Sequence, residues 1–311
     1  MGDLLTQDFL AALISGAILA GMPLLFAALG ETISEQAGLL NIGLEGMMLF
    51  GAYAGFNAAY YGGSSWIGFL VAMGAGMLVA SLMAVFCVYM GRDQIVVGIA
   101  ILLAMEGLTS LLHQVQFGQS YPRLDAVPVI AIPGLSEIPV VGPSIFTQPL
   151  IFYIGVALIF VAGWALYKTN LGLNLRAAGW KPVALDNAGV DVLKVRTIAV
   201  LSTGALAGIG GGYMAIVTAG IFVPFMTGGL GFIAIVIAML GRGRPWIVLV
   251  GSLLFGVALS IATALQLVGI NVSTDLVQML PFVTVIAALV LLARRALLPA
   301  ALATPFVRGQ R

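Results

Sequence analysis

The chain has 311 residues, 61% of them hydrophobic and only 8% charged, with 13 basic and 12 acidic side chains giving a net charge of +1. Together with a mean hydropathy of +1.13, this excludes a soluble globular domain, in which about 25% of residues are charged. Apolar runs of roughly 20 residues, the length of a bilayer-crossing helix, recur along the chain, and the ~10-residue alternating segments of a transmembrane barrel do not appear. The expected class is an all-α integral membrane protein set in a lipid bilayer. Nothing in so balanced a charge points to nucleic acid.

In chain order, helices are expected near 8–29, 44–61, 66–90, 95–113, 149–167, 197–218, 229–240, 246–266 and 276–293. That makes a polytopic bundle of about nine spans, with room for broken or re-entrant segments, 229–240 being short for a crossing. The whole of 1–311 reads as one transmembrane domain. No Lys or Arg precedes Arg92. A cleavable signal would begin with positive charge, so the first helix is expected to remain in the mature protein.

Basic residues set the orientation. Arg92, the group Lys168, Arg176, Lys181, Lys194 and Arg196, the pair Arg242 and Arg244, and Arg294 and Arg295 alternate with connections poor in Lys and Arg. The pattern is self-consistent with the N-terminus outside and the C-terminus in the cytoplasm. The loop 114–148, with Pro122, Pro128, Pro133, Pro139 and Pro143, is then an irregular extracytoplasmic segment carrying at most a short helix. The loop 168–196 is cytoplasmic. Pro182 suits the first turn of a helix, and Ala184 and Ala188, four apart, would let another protein's backbone approach. Two short helices with an exposed small-residue face are expected there.

The polar break Glu31–Phe50, ETISEQAGLLNIGLEGMMLF, sets Glu31, Glu35, Glu45, Gln36 and Asn41 between apolar segments. Carboxylates at such depth are costly unless they face water, a partner or a cavity. Glu35, Asn41 and Glu45 are therefore candidates for a translocation path, as is Glu106 in ILLAMEGLTSLLH. Gly204, Gly208 and Gly212 share one helix face, which suits close helix packing; Gly208 and Gly212 could instead line a narrow path. Phe222 and Phe225 after that helix could stack on a planar solute or anchor at the interface. His113 reads as an interfacial hydrogen-bonding residue. Cys87 is the sole cysteine and sits in an apolar run, so it reads as a small core residue. No set of ligands is spaced for a metal, no catalytic constellation is visible, and no G-x-x-x-x-G-K-[ST] phosphate loop occurs.

Three motifs carry a family resemblance. GLNLRAAG followed by Pro182 and ALDNAGV (residues 172–190) resembles the cytoplasmic coupling loop of type II ABC-importer permeases for branched-chain amino acids, ribose, simple sugars and nucleosides. SEQAGLLNIGLEGMM (34–48) and GFIAIVIAMLGRGRP (231–245) are similar to signatures of the nucleoside and simple-sugar branch. Trp180-Lys181 and Gly243-Arg244 depart from the usual residues of that branch.

The resemblance implies the shorter of two non-identical permeases in a bacterial inner membrane. Its partners would be a tandem-domain ATPase and an extracytoplasmic substrate-binding lipoprotein. ATP and Mg would be used by the ATPase, with no cofactor held by this chain. Gly172, Leu173, Arg176, Ala177, Gly179, Pro182, Ala184, Ala188 and Gly189 would form the coupling loop. From the residues alone, a secondary transporter with protons carried by Glu35, Glu45 or Glu106 stays open as the alternative. It would need no patterned cytoplasmic loop.

Overall fold

The computed structural model describes residues 7–267 and 298–306, with a few isolated positions between. The expected helix 276–293 falls largely outside the described residues. Helix α1 (Gln7–Gln36) is 30 residues long and runs past the expected end near residue 29. Neither Gly nor Pro stands between Gly30 and Gly38, so the polar residues Glu31 to Gln36 continue the helix. Gly38, at φ +86°, ends it. Leu39 N donates to Ser34 O and Gly38 N to Glu35 O, both at 2.9 Å, the paired bonds by which a left-handed residue closes a helix. The polar break is thus shorter than the sequence suggested, covering only 37–43.

Helix α2 (Leu44–Gly62) is followed by α3 (Ser65–Met83), which runs on into a π-helical turn, Ala84–Tyr89. Helix α4 (Gln94–Phe117) begins where the Asp93 carboxylate accepts from Ile95 N and Val96 N, both at 2.9 Å. The proline-rich connection contains a short antiparallel ribbon that its irregular reading missed. Strand β1 (Val129–Ala131) pairs with β2 (Thr147–Pro149), Ile130 opposite Gln148. The expected short helix is α5 (Val141–Ile145), tied to α1 by Ser144 Oγ donating to Ala11 O at 3.1 Å.

Helix α6 (Leu150–Lys168) leads into two short helices, α7 (Asn170–Trp180) and α8 (Pro182–Asn187), as the loop pattern indicated. Helix α9 (Val192–Tyr213) starts five residues earlier than expected because Asp191 caps it, accepting from Leu193 N and Lys194 N. It crosses Gly210 and Gly211 unbroken and ends in a π-helical turn, Met214–Thr218. Helices α10 (Leu230–Gly241) and α11 (Pro245–Leu267) follow.

By length and composition, α1, α3, α4, α6 and α9 can each cross a membrane, while α10 and the apolar part of α11 (Pro245–Ile261) are shorter. The closest backbone packing includes a seam of α2, α3 and α9. A Cβ on Gly208 would meet the Ala72 carbonyl, one on Gly76 the Gly204 carbonyl, and one on Gly211 the Met48 carbonyl. Backbones touch there, as small residues permit in lipid.

Candidate functional site

The site is built around the break between α1 and α2. Glu31 and Glu35, one turn apart at the end of α1, and Asn41 within the break are all at most 1% exposed. Glu31 Oε1 accepts from Asn41 N at 2.9 Å, folding the break back onto the helix. Glu31 Oε2, Glu35 Oε1 and Asn41 Oδ1 are buried with no hydrogen-bond partner among the described residues. Each such group costs about 1–3 kcal/mol when left unpaired, so three of them gathered here mark a place where polar chemistry outweighs stability.

Neighbouring helices grip the break and the end of α1 before it. Leu40 N donates to Gln94 Oε1 at the start of α4, 2.8 Å away. Thr203 Oγ1 on α9 donates to Gly30 O at 2.7 Å and lies 2.8 Å from Ser34 Oγ. Glu45, in the first turn of α2, is fully engaged elsewhere. Its two oxygens accept from Gly229 N, at 2.8 Å, and from Gly231 N. A carboxylate at that point satisfies orphan N–H groups and complements the positive end of α10. A Cβ on Gly231 would stand 2.6 Å from Glu45 Cα, so only glycine allows this approach.

The other candidates separate. Glu106 is half-buried on α4, and among the described residues its side chain makes no hydrogen bond or ion pair to the break. Gly208 and Gly212 are spent in helix packing, Gly212 against the Ala72 methyl. Phe222 is buried and meets Tyr53 edge-on at 5.2 Å between ring centroids, whereas Phe225 is 53% exposed. At that same end His113 is buried, stacked on Tyr121 at 5.1 Å, with Phe117 and Phe222 close by. It borders a polar cavity of about 370 Å³ with Ser110, Gln114 and Gln119.

The loop 168–196 has two faces. Its inner face is buried: a Cβ on Gly172 would strike the Ala165 and Leu166 carbonyls, and one on Gly179 the Gln36 carbonyl. Gly179 therefore lies directly on the end of α1. Gly189, at φ +83°, turns the chain out of α8, and Pro182 occupies the first turn of that helix. The outer face is an apolar groove of about 490 Å³ lined by Leu173, Arg176, Ala177, Trp180, Ala184 and Ala188, among others. Leu173 and Trp180 are exposed beside it. The Arg176 guanidinium sits 5.0 Å over the Tyr167 ring, and Tyr167 Oη donates to Gly243 O between α10 and α11 at 2.9 Å.

Residues 13–289 match the family described as branched-chain amino acid transport system / permease component. The chain belongs to this family. It is therefore a membrane permease, and ABC-transporter permeases are among its relatives. The putative glucose ABC transporter permease protein TsgC13 of Haloferax volcanii is 35% identical over 91% of this chain and 85% of its own length. The guanosine ABC transporter permease protein NupQ of Bacillus subtilis is 32% identical over 98% and 99%. The nucleoside ABC transporter permease protein NupC of Lactococcus lactis is 32% identical over 97% and 98%.

Sequence reasoning missed Gln94, Thr203 and Arg196, whose Nε donates to Ala37 O at 3.2 Å, as residues that hold the break and the end of α1. Gln94 and Thr203 look like ordinary polar residues at a helix start and on a helix face. Arg196 reads as one more orienting charge until α9 is seen to begin before it. The available signal was Asp191, a capping residue five positions ahead of Arg196.

Proposed function

We propose that this permease imports nucleosides, with simple sugars as the second substrate class, by alternating access driven by ATP hydrolysis on a separate subunit. The observation that carries the reading is the two-faced loop. One face of α7 and α8 offers an apolar groove to an outside protein, while Gly179 on the other rests on the α1–α2 break with its buried carboxylates. A push on the groove has a short, packed route to the polar centre.

In this reading α7 and α8 face the cytoplasm, the N-terminus lies outside, and the membrane is the bacterial inner membrane. The partners are a tandem-domain ATPase using ATP and Mg, a second, non-identical permease, and an extracytoplasmic binding lipoprotein. The two relatives named for nucleosides align with nearly the whole chain and support the first substrate class; the relative named for glucose supports the second. The break and the path beyond it would then admit a solute already selected by the binding protein.

The test is uptake of radiolabelled guanosine, and separately glucose, into proteoliposomes holding the complete complex. Expected is guanosine uptake that requires ATP, and its loss when Ala184→Trp and Ala188→Trp fill the groove. Uptake from this chain alone, driven by a proton gradient without ATP, would overturn the reading.

A further inference from the structure

Arg196, in the second turn of α9, is 1% exposed, yet no carboxylate pairs with it among the described residues. Its guanidinium reaches three backbone carbonyls from three separate segments. Nε donates to Ala37 O at 3.2 Å, Nη2 to Ala178 O at 3.4 Å, and Nη1 to Thr304 O at 2.9 Å. Ala37 opens the α1–α2 break, Ala178 belongs to α7, and Thr304 lies in the segment 298–306.

That segment is stitched to the same two places. Ala301 N donates to Gly179 O at 2.9 Å, and Ala303 N to Gly38 O at 3.1 Å. Phe306 packs on the cluster of Ala178, Leu185 and Val192. Pro305 reaches the turn between α3 and α4, its Cβ 3.6 Å from where a Cβ on Gly91 would stand.

A buried cation is expensive, and an apolar residue of similar volume often serves stability as well or better. What the guanidinium adds is geometry, because its donors are fixed in one plane. With Ala37 and Ala178 bonded to one rigid group, α7 cannot shift far without carrying the break along or tearing the fork.

We propose that Arg196 is a positioning residue for energy coupling: together with the strap 298–306 it locks the end of α7 to the α1–α2 break. Displacement of α7 then reaches Glu31 and Glu35 instead of being absorbed in the loop. This rests on the ATP-driven reading above, and the test separates the two. In proteoliposomes carrying the complete transporter, ATP-dependent uptake by the wild type tests that reading. The number of ATP molecules hydrolysed per guanosine imported then tests Arg196.

Arg196→Gln should raise this ratio about tenfold, the scale on which single residues modulate coupling between sites. Arg196→Lys, which keeps the charge and loses the fork, should fall between Gln and wild type. A merely structural role would lower hydrolysis and uptake together and leave the ratio where it was; that result overturns the proposal. If Arg196→Gln prevents assembly, Phe306→Ala loosens the strap without stranding a buried polar group. A ratio raised about threefold in that variant supports the proposal, and an unchanged ratio overturns it.

Discussion

The seam of α2, α3 and α9 and the α1–α2 break share α2 and a bond to α9, and they are built by opposite rules. In the seam, glycines bring backbones together so closely that a single methyl has nowhere to go. At the break, carboxylates and an amide are buried with part of their hydrogen-bonding capacity unfilled. The first arrangement has one good packing and resists change. The second is held by a few directional bonds to α4 and α9, and such bonds can be remade. The alternating access proposed above would use both kinds of region, the seam as a frame that keeps its shape and the break as a polar centre that does not.

This contrast can be broken most forcefully at Gly208. Gly208→Leu drives a side chain into the Ala72 carbonyl, and overpacking of this kind costs at least about 1–3 kcal/mol. The variant should yield little folded permease, read as loss of the monodisperse complex on size-exclusion chromatography. Normal yield would show that the seam is looser than described. A smaller effect is expected at the edge of the break. Glu45→Gln keeps one acceptor for the start of α10 but gives up its charge and half its bonding, so a loss of about 1–2 kcal/mol is expected. A thermal melt in detergent reads this as a lowered midpoint with the fold retained. An unchanged midpoint would remove Glu45 from its role at α10.

Much of the helical scaffold was legible in the sequence because its signals are local. Runs of apolar residues place α3, α4, α6, α10 and α11 within a few residues, and Pro182 with its flanking small residues announces α7 and α8. The break was legible as a polar anomaly but not in its extent. Glu31 and Glu35 look like loop residues because they are charged, although the only local stop signal, Gly38, comes after them. Arg196 was hidden because two of its three carbonyl partners lie 159 and 108 residues away in the chain. Glu45 drew notice as a buried acid, yet its engagement with Gly229 and Gly231 depends on a contact between α2 and α10 that no spacing reveals.

Amide hydrogen exchange on the assembled complex, with and without ATP, tests the proposed link between the loop 168–196 and the break most directly. Such exchange reports local opening segment by segment. The account predicts that protection at residues 37–43 changes together with protection at 172–190 when ATP binds. If the loop responds and residues 37–43 exchange at the same rate in both states, the break is not what α7 and α8 move, and the account is wrong.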